Sequence, residues 1–411
     1  MDQIDEWLKR AFSEKTDGNT PSKPKKGPFK KAAEKSEAPH SKDAKKKQDK
    51  PRRKFFKKRG SKKDKTPISQ PAKEEVKKEN FSKNKPDHKT GPKGLPKSKV
   101  QKTAAHKILK GKLKVLPLGG LNEVGKNMMA FEYERDIIIV DMGFEFPSED
   151  LLGIDYVIPD VSYLEDRKKD IRGIVITHGH LDHIGGIPYI LPKLDFPPLY
   201  ATKLTAGMIE KRAEEFKQMK TMKLNVVNPD EPLKLGVFLC NFFRVTHSIP
   251  DAVGVEIVTP VGSVVHTGDF KFDDNPARNQ TKADIHKMEA LGKKNVLALF
   301  CESTNSLKEG HSLSEMEVGK VLEETITAIE GRVIIATFSS QLGRIQQIID
   351  AAVKANRKIF ISGRSMRNNI DISMRLGYLK IPNNAIQDIK KYKNSVPDNE
   401  TLIITTGSQG E

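Results

Sequence analysis

The segment HGHLDHIGG, His178–Gly186, carries three of the ten histidines of this 411-residue chain within six positions. It follows IRGIVIT, Ile171–Thr177, an apolar run that predicts a buried strand. The loop and helix start after that strand can turn the polar side chains to one side. Histidine and carboxylate groups together bind Zn²⁺, Mn²⁺ and related ions. The pattern therefore predicts a metal site, because four clustered polar side chains at a strand end need partners.

The sequence around this segment has two kinds of pattern. Residues 113–309 consist mainly of short apolar runs separated by turns, such as Ile137–Asp141 and Gly262–Phe270, which indicates a β-rich layered domain. Residues 310–411 alternate strands with helices, which is typical of a parallel α/β unit. We therefore expect two folded regions of the α/β class.

Residues 1–112 differ from the rest of the chain in charge. They hold 36 basic and 14 acidic residues, whereas residues 113–411 hold 36 basic and 40 acidic residues. With few large aliphatic side chains, this Lys-rich extension is expected to be disordered. It is either a solubilising tail or an electrostatic arm for RNA or another polyanion. The second interpretation is favoured by a basic cluster around two aromatic rings: Arg52, Arg53, Lys54, Phe55, Phe56, Lys57, Lys58 and Arg59.

The first dozen residues form a short amphipathic pattern with apolar residues at three- and four-residue steps. A helix there would either dock into a partner, such as an RNA helicase or the ribosome, or have no role. No apolar run reaches the ~20 residues that cross a bilayer, and no secretory signal is present. We therefore expect a cytoplasmic protein that does not enter a membrane.

Several motifs resemble one family. HGHLDHIGG is similar to the signature of the metallo-β-lactamase superfamily, and LGGLNEVGKN, HTGDFKFD, CESTN, TFSSQLGRIQQ and SGRSM resemble ribonuclease J, of the β-CASP branch. The resemblance implies a metallo-β-lactamase αββα sandwich over residues 113–309 with an inserted β-CASP α/β domain over residues 310–411. It also implies that family sequence follows GSQGE, so the β-CASP domain would be partial and the chain an N-terminal fragment.

The resemblance also implies a set of site residues. Two divalent ions are expected, with Zn²⁺ as the first choice and Mn²⁺ or Mg²⁺ as alternatives. One ion would be held by His178, His180, His247 and Asp269, and the second by Asp182, His183 and the shared Asp269. Asp141 would accept a hydrogen bond behind the metals, and Asp182 and Glu302 are the further catalytic candidates.

Three residues that follow strands of the α/β region are candidates for contacts with the RNA backbone: Ser339, Arg344 and Arg364. The alternative for these residues is a capped helix start with a solvated arginine.

The function implied by the resemblance is two-metal hydrolysis of RNA, with 5′→3′ exonuclease and endonuclease activity in mRNA decay and rRNA processing. A homo-oligomer is expected for the full-length protein. Two alternatives stay open, namely a β-CASP nuclease that acts on DNA and a non-catalytic RNA-binding or scaffold fragment. Small-molecule hydrolases of the same fold lack the β-CASP motifs from Glu302 onward.

Overall fold

The structure is a computed structural model that describes residues 111–148, 151–391 and 396–407. The basic cluster from Arg52 to Arg59 and the N-terminal amphipathic pattern lie outside these residues. Within them, no helix is both long enough and apolar enough to cross a membrane.

The first sheet contains six strands that lie side by side in chain order. The first three pair antiparallel and the remaining three continue parallel, as the long connections between them require. The strands are β1 (Leu113–Gly119), β2 (Met128–Tyr133), β3 (Asp136–Val140), β4 (Ile171–Val175), β5 (Leu199–Ala201) and β6 (Leu224–Val226).

The second sheet contains five strands in the order β11-β10-β9-β8-β7. Its strands pair antiparallel except for β10 and β11, which are parallel. The strands are β7 (Leu233–Leu235), β8 (Phe238–Arg244), β9 (Val253–Thr259), β10 (Gly262–His266) and β11 (Val296–Phe300).

The alternation of side chains along β3 shows how these two sheets are layered. Ile138 and Val140 pack in the apolar cluster between the sheets, whereas Ile137 and Ile139 face the helices on the other side. That outer layer holds α1 (Ser162–Glu165), α2 (Leu181–Ile184), α3 (Ile187–Ile190) and α4 (Lys203–Ala213). On the outer face of the second sheet, α5 (Ile285–Gly292) contributes Met288 and Leu291 to a third cluster. The order is helix, sheet, sheet, helix, which is the sandwich that the sequence predicted.

The third sheet is parallel throughout and has the order β12-β15-β13-β14. Ser314 caps the first helix of this region by accepting a hydrogen bond from the backbone of Met316 at 3.3 Å. The elements are α6 (Glu315–Ala328), β12 (Val333–Ala336), α7 (Leu342–Lys354), β13 (Lys358–Ile361), α8 (Arg364–Leu376), β14 (Ile386–Gln387) and β15 (Thr401–Thr405). We call Glu315–Thr405 the α/β unit.

The α/β unit packs on the sandwich through α4 and α8. Gly207 of α4 faces Leu376 of α8, where a Cβ atom would lie 2.8 Å from a leucine methyl group. Tyr378, just after α8, donates a hydrogen bond to Asp251 at 2.8 Å. These contacts place one side of the α/β unit above the strand ends of the sandwich.

One predicted helix is shorter than its pattern indicated. The run Leu204–Lys220 predicts a single helix, but α4 ends at Ala213 and a separate 3₁₀ turn spans Lys217–Thr221. Phe216 between them has an extended backbone and packs its ring against Tyr189. Burial of that ring therefore takes precedence over continuation of the helix.

Candidate metal centre

Four chain segments bring their polar residues to one edge of the sandwich. Asp141 follows β3 and Thr177 closely follows β4, and these strands are parallel neighbours, so both residues emerge at the same edge. His247 lies in the connection between β8 and β9, and Asp269 follows β10. The site is therefore built from strand ends and the loops that leave them.

Three histidines form the first donor group: His178, His180 and His247. The Nδ1 atom of His180 lies 3.1 Å from Nε2 of His178 and 3.1 Å from Nε2 of His247. Nitrogens that bind one tetrahedral Zn²⁺ at about 2.0–2.1 Å are roughly 3.3 Å apart. The observed spacing fits a cation shared by the three histidines. A hydrogen bond does not explain both contacts, because one proton on Nδ1 of His180 cannot satisfy both neighbouring nitrogens.

His183 and the carboxylates around it form the second donor group. Its Nε2 atom lies 3.4 Å from Asp269 and 3.5 Å from Asp182. His178, His183 and Asp269 also offer three ligand atoms within 4.8 Å of one another, so the two groups share an edge. All six ligand candidates from the sequence thus lie in one cluster.

Asp141 lies behind this cluster, is almost fully buried and has a left-handed backbone with φ of 61°. One carboxylate oxygen accepts a hydrogen bond from the backbone N–H of Thr177 at 2.8 Å. The other accepts from the Thr177 hydroxyl at 2.9 Å and lies 2.8 Å from Nδ1 of His183. These bonds set the orientation of the His183 ring, so that its Nε2 atom faces the carboxylates of Asp182 and Asp269.

Sequence reasoning missed Thr177, Ser248 and Asn127, which contact the histidine cluster. The Thr177 hydroxyl lies 3.0 Å from Nδ1 of His178, and the Ser248 hydroxyl lies 3.3 Å from Nε2 of His180. Asn127 lies 3.1 Å from Nε2 of His183. Thr177 and Ser248 directly precede and follow ligand candidates, which is a local signal, and Asn127 ends the segment LGGLNEVGKN, which carried the resemblance without assigning this residue a role.

The charge environment differs between the two donor groups. Burial and the neighbouring histidines lower the pKa of His178 well below its usual value, and the same causes lower the pKa of His180 to about 3. Burial lowers the pKa of His247 to about 4. These rings are therefore neutral near pH 7 and have lone pairs for a cation.

Burial alone would also lower the pKa of His183, but the carboxylates of Asp141, Asp269 and Asp182 raise it well above its usual value. In turn, His183 overcomes the effect of burial and lowers the pKa of Asp269 and of Asp182. Three carboxylates around one imidazole favour positive charge at this point, and a divalent cation supplies it.

Gly143 allows two loops of the site to approach closely. The loop after β3 pairs with the histidine segment through backbone bonds, including Met142 N to His183 O at 2.8 Å and Gly186 N to Met142 O at 2.9 Å. A Cβ atom on Gly143 would lie 1.5 Å from the carbonyl oxygen of Asp182. Only glycine fits at this position.

Glu302 stands at the end of β11, apart from the donor groups. Its backbone N–H donates to the Thr267 hydroxyl at 3.2 Å, and its carboxylate accepts from the backbone of Thr304 at 2.7 Å. In the part of the chain that the structure describes, no hydrogen bond joins Glu302 to the histidine cluster.

A groove of about 980 Å³ lies above the cluster, between the sandwich and the α/β unit. His180 and Asp182 form part of its floor, and Phe146, which is 62% exposed, lines its wall. Ser339 and Arg364 line the opposite wall. Two of the three candidates for RNA contact in the α/β unit therefore face the groove.

Arg344 has a different environment. Its guanidinium group donates to the Glu315 carboxylate at 3.0 Å, and Lys271 reaches the same carboxylate at 3.0 Å. Arg344 does not line the groove formed by the described residues. Arg344, although it follows a strand, forms an ion pair that joins α7 to α6.

Known families match both regions. A sequence model of the metallo-beta-lactamase superfamily matches residues 121–299. A model of the ribonuclease J beta-CASP domain matches residues 330–411. Over both regions the chain is similar to ribonuclease J. Its curated relatives agree with this assignment.

The chain is 42% identical to ribonuclease J of Mycoplasma pneumoniae over 298 residues, which cover 72% of this chain and 52% of that protein. It is 44% identical to ribonuclease J 1 of Streptococcus pyogenes over 297 residues, with 72% and 52% coverage. The chain spans about half the length of these relatives.

A solved structure shows the same fold at low sequence similarity. A protein of unknown function from Enterococcus faecalis aligns with a TM-score of 0.53 and 16% identity, over 71% of this chain and 76% of that chain.

Proposed function

We propose that this chain hydrolyses RNA phosphodiester bonds with two divalent cations at the edge of the sandwich. The observation that carries the proposal is that His180 and Asp182, one from each donor group, lie on the floor of a groove whose walls come from both regions. RNA is the substrate that the relatives' name indicates. The proposed boundary between the metallo-β-lactamase and β-CASP domains lies between residues 309 and 310.

The ligand assignment follows the two donor groups. His178, His180, His247 and Asp269 would hold the first cation, and Asp182, His183 and Asp269 the second, with Zn²⁺ as the first choice and Mn²⁺ or Mg²⁺ as alternatives. Bound cations at such a site supply positive charge to the phosphoryl oxygens during hydrolysis. Asp141 and Thr177 orient the imidazole rings, which keeps the donor atoms directed at the same point.

The groove is the proposed path of the RNA strand. The exposed Phe146 ring offers a stacking surface near the cluster. Arg364 and Ser339 on the opposite wall offer groups that bind phosphate oxygens. The catalytic role of Glu302 remains a prediction, and one of its two carboxylate oxygens accepts from the Thr304 backbone.

The activities, cellular roles, location and oligomeric state that we propose rest on the similarity to ribonuclease J. They are 5′→3′ exonuclease and endonuclease activity, roles in mRNA decay and rRNA processing, a cytoplasmic location and a homo-oligomeric full-length protein. The basic residues from Arg52 to Arg59 would add RNA affinity, and the extension before residue 113 would bind an RNA helicase or the ribosome.

The test compares Asp269→Ala with His286→Ala on 5′-monophosphorylated RNA and on DNA of the same sequence, with Mn²⁺ present. Asp269 is shared by the two proposed cations, whereas His286 is fully exposed on α5 and does not contact the cluster. We expect the first variant to lose RNA hydrolysis and the second to keep it. Full activity of Asp269→Ala would refute the ligand assignment, and preferred cleavage of DNA would favour the DNA nuclease.

A further inference from the structure

Asn127 ends the glycine-rich connection between β1 and β2, and its backbone is tied to both loops of the metal centre. Its N–H donates to the carbonyl oxygen of Asp182 at 3.0 Å, and its own carbonyl oxygen accepts from Gly143 at 2.9 Å. The position of Asn127 is therefore fixed by the same segments that carry Asp141 and Asp182.

The side chain of Asn127 continues this connection into the cluster. Its amide nitrogen lies 3.3 Å from the Asp182 carboxylate and 3.1 Å from Nε2 of His183. The amide oxygen points the other way, against Gly120, where a Cβ atom would lie 2.4 Å from it. The reversed amide would direct an oxygen at the carboxylate, which is repulsive, so the observed orientation is the favourable one.

The hydrogen-bonding capacity of this amide matches its surroundings. One N–H of the amide faces the Asp182 carboxylate, which is an acceptor with or without a bound cation. The single lone pair of His183 Nε2 is the one that binds a cation, so in the loaded site the amide packs beside this atom and does not donate to it. The hydrogen bond to Asp182 is therefore the contact through which Asn127 acts on the site.

We propose that Asn127 is a positioning residue whose amide holds Asp182 beside His183 in the arrangement that binds the second cation. This inference rests on the proposed two-cation site. Among the described residues, Asn127 has no hydrogen bond to the three histidines of the first donor group. We therefore expect its replacement to weaken the binding of only one of the two cations. The residue thus acts on metal binding through its neighbours.

The experiment measures cation binding rather than catalysis. The cation-free full chain is titrated with Zn²⁺ in competition with a chromophoric chelator, which yields one dissociation constant for each cation. The variants are Asn127→Ala and Asn127→Leu, the second of which keeps a branched side chain of similar size. Asn228→Ala is the control, because its exposed amide also donates to a carboxylate, that of Glu231 at 3.0 Å, away from the cluster.

The second cation has three proposed protein ligands against four for the first, so the weaker dissociation constant is assigned to it. We expect the tighter constant to be unchanged and the weaker one to rise roughly ten- to hundredfold in both Asn127 variants, as for other residues that orient metal ligands. The control should match the wild type in both constants. Unchanged constants in the Asn127 variants, or a wild-type chain that binds only one cation, would overturn the inference. A wild-type chain that binds no cation would instead overturn the proposed function itself.

Discussion

Replacement of Asp141 by asparagine tests how the buried hydrogen bonds behind the cluster control its cation affinity. The two carboxylate oxygens receive three contacts, from the Thr177 backbone, the Thr177 hydroxyl and the His183 ring. All three groups act as donors towards a carboxylate. An amide replaces one acceptor oxygen by a donor, so at least one contact becomes repulsive.

The size of the effect depends on which way the new amide turns. If its NH₂ group faces the backbone of Thr177, the N–H of Thr177 loses its acceptor. If it faces His183, the ring must accept at Nδ1 and carry its proton on Nε2, which blocks the atom that lies near Asp182 and Asp269. A hydrogen bond to a charged group contributes about 1.5–3 kcal/mol, so we expect a loss of that order in unfolding free energy.

The backbone should tolerate this substitution. Asp141 has a left-handed conformation, and asparagine adopts that conformation as readily as any residue except glycine. The measured effect therefore reports on the hydrogen bonds and not on strain in the main chain.

Urea unfolding of the cation-free chain measures the stability loss, and chelator-competed Zn²⁺ titration measures the affinity loss. Asp160→Asn is the matched control, since this exposed carboxylate binds the nearby Ser162 and lies away from the cluster. It should change stability by less than about 0.5 kcal/mol. If Asp141→Asn keeps both stability and the weaker cation affinity of the wild type, the orienting role of Asp141 is refuted.

Two further predictions concern RNA binding. Arg364→Ala should weaken binding of single-stranded RNA and reduce the slope of log K against log salt by about 0.7, whereas Arg344→Ala should leave both unchanged because its guanidinium pairs with Glu315. Equal slopes for the two variants in a filter-binding series would contradict this assignment. Deletion of residues 1–112 should reduce the slope several times more than Arg364→Ala does. Cleavage at low salt should stay intact, because no proposed metal ligand lies in this extension. An unchanged slope after deletion would favour a solubilising tail.

The clustering of the six ligand candidates could be predicted because they occur close together or in a family order. His178, His180, Asp182 and His183 are nearly consecutive, so a single strand end places them. Asn127 lies in the quoted segment LGGLNEVGKN, but nothing in that segment indicates its partners, which are 55 and 56 positions away. Such a contact depends on the turn that β1 and β2 make, which a sequence pattern does not specify.

Arg344 and Arg364 show a second limit of sequence reasoning. Both follow strands of the α/β unit, and the pattern assigns them the same role. The structure separates them because Glu315 at the start of α6 lies beside Arg344, whereas the start of α8 faces the groove. The partner of a charged side chain depends on the packing of neighbouring helices, and neither residue type nor spacing reveals it.

Gly143 has a consequence for how sequence variation at this site should be interpreted. Because the carbonyl oxygen of Asp182 occupies the space of a Cβ atom, even alanine at position 143 would push the two loops apart. A random-mutagenesis screen would therefore mark position 143 as intolerant, although glycine has no group that binds a cation or RNA. Intolerance at such a position measures the closeness of two backbones. It identifies a steric requirement of the site, which is distinct from a chemical one.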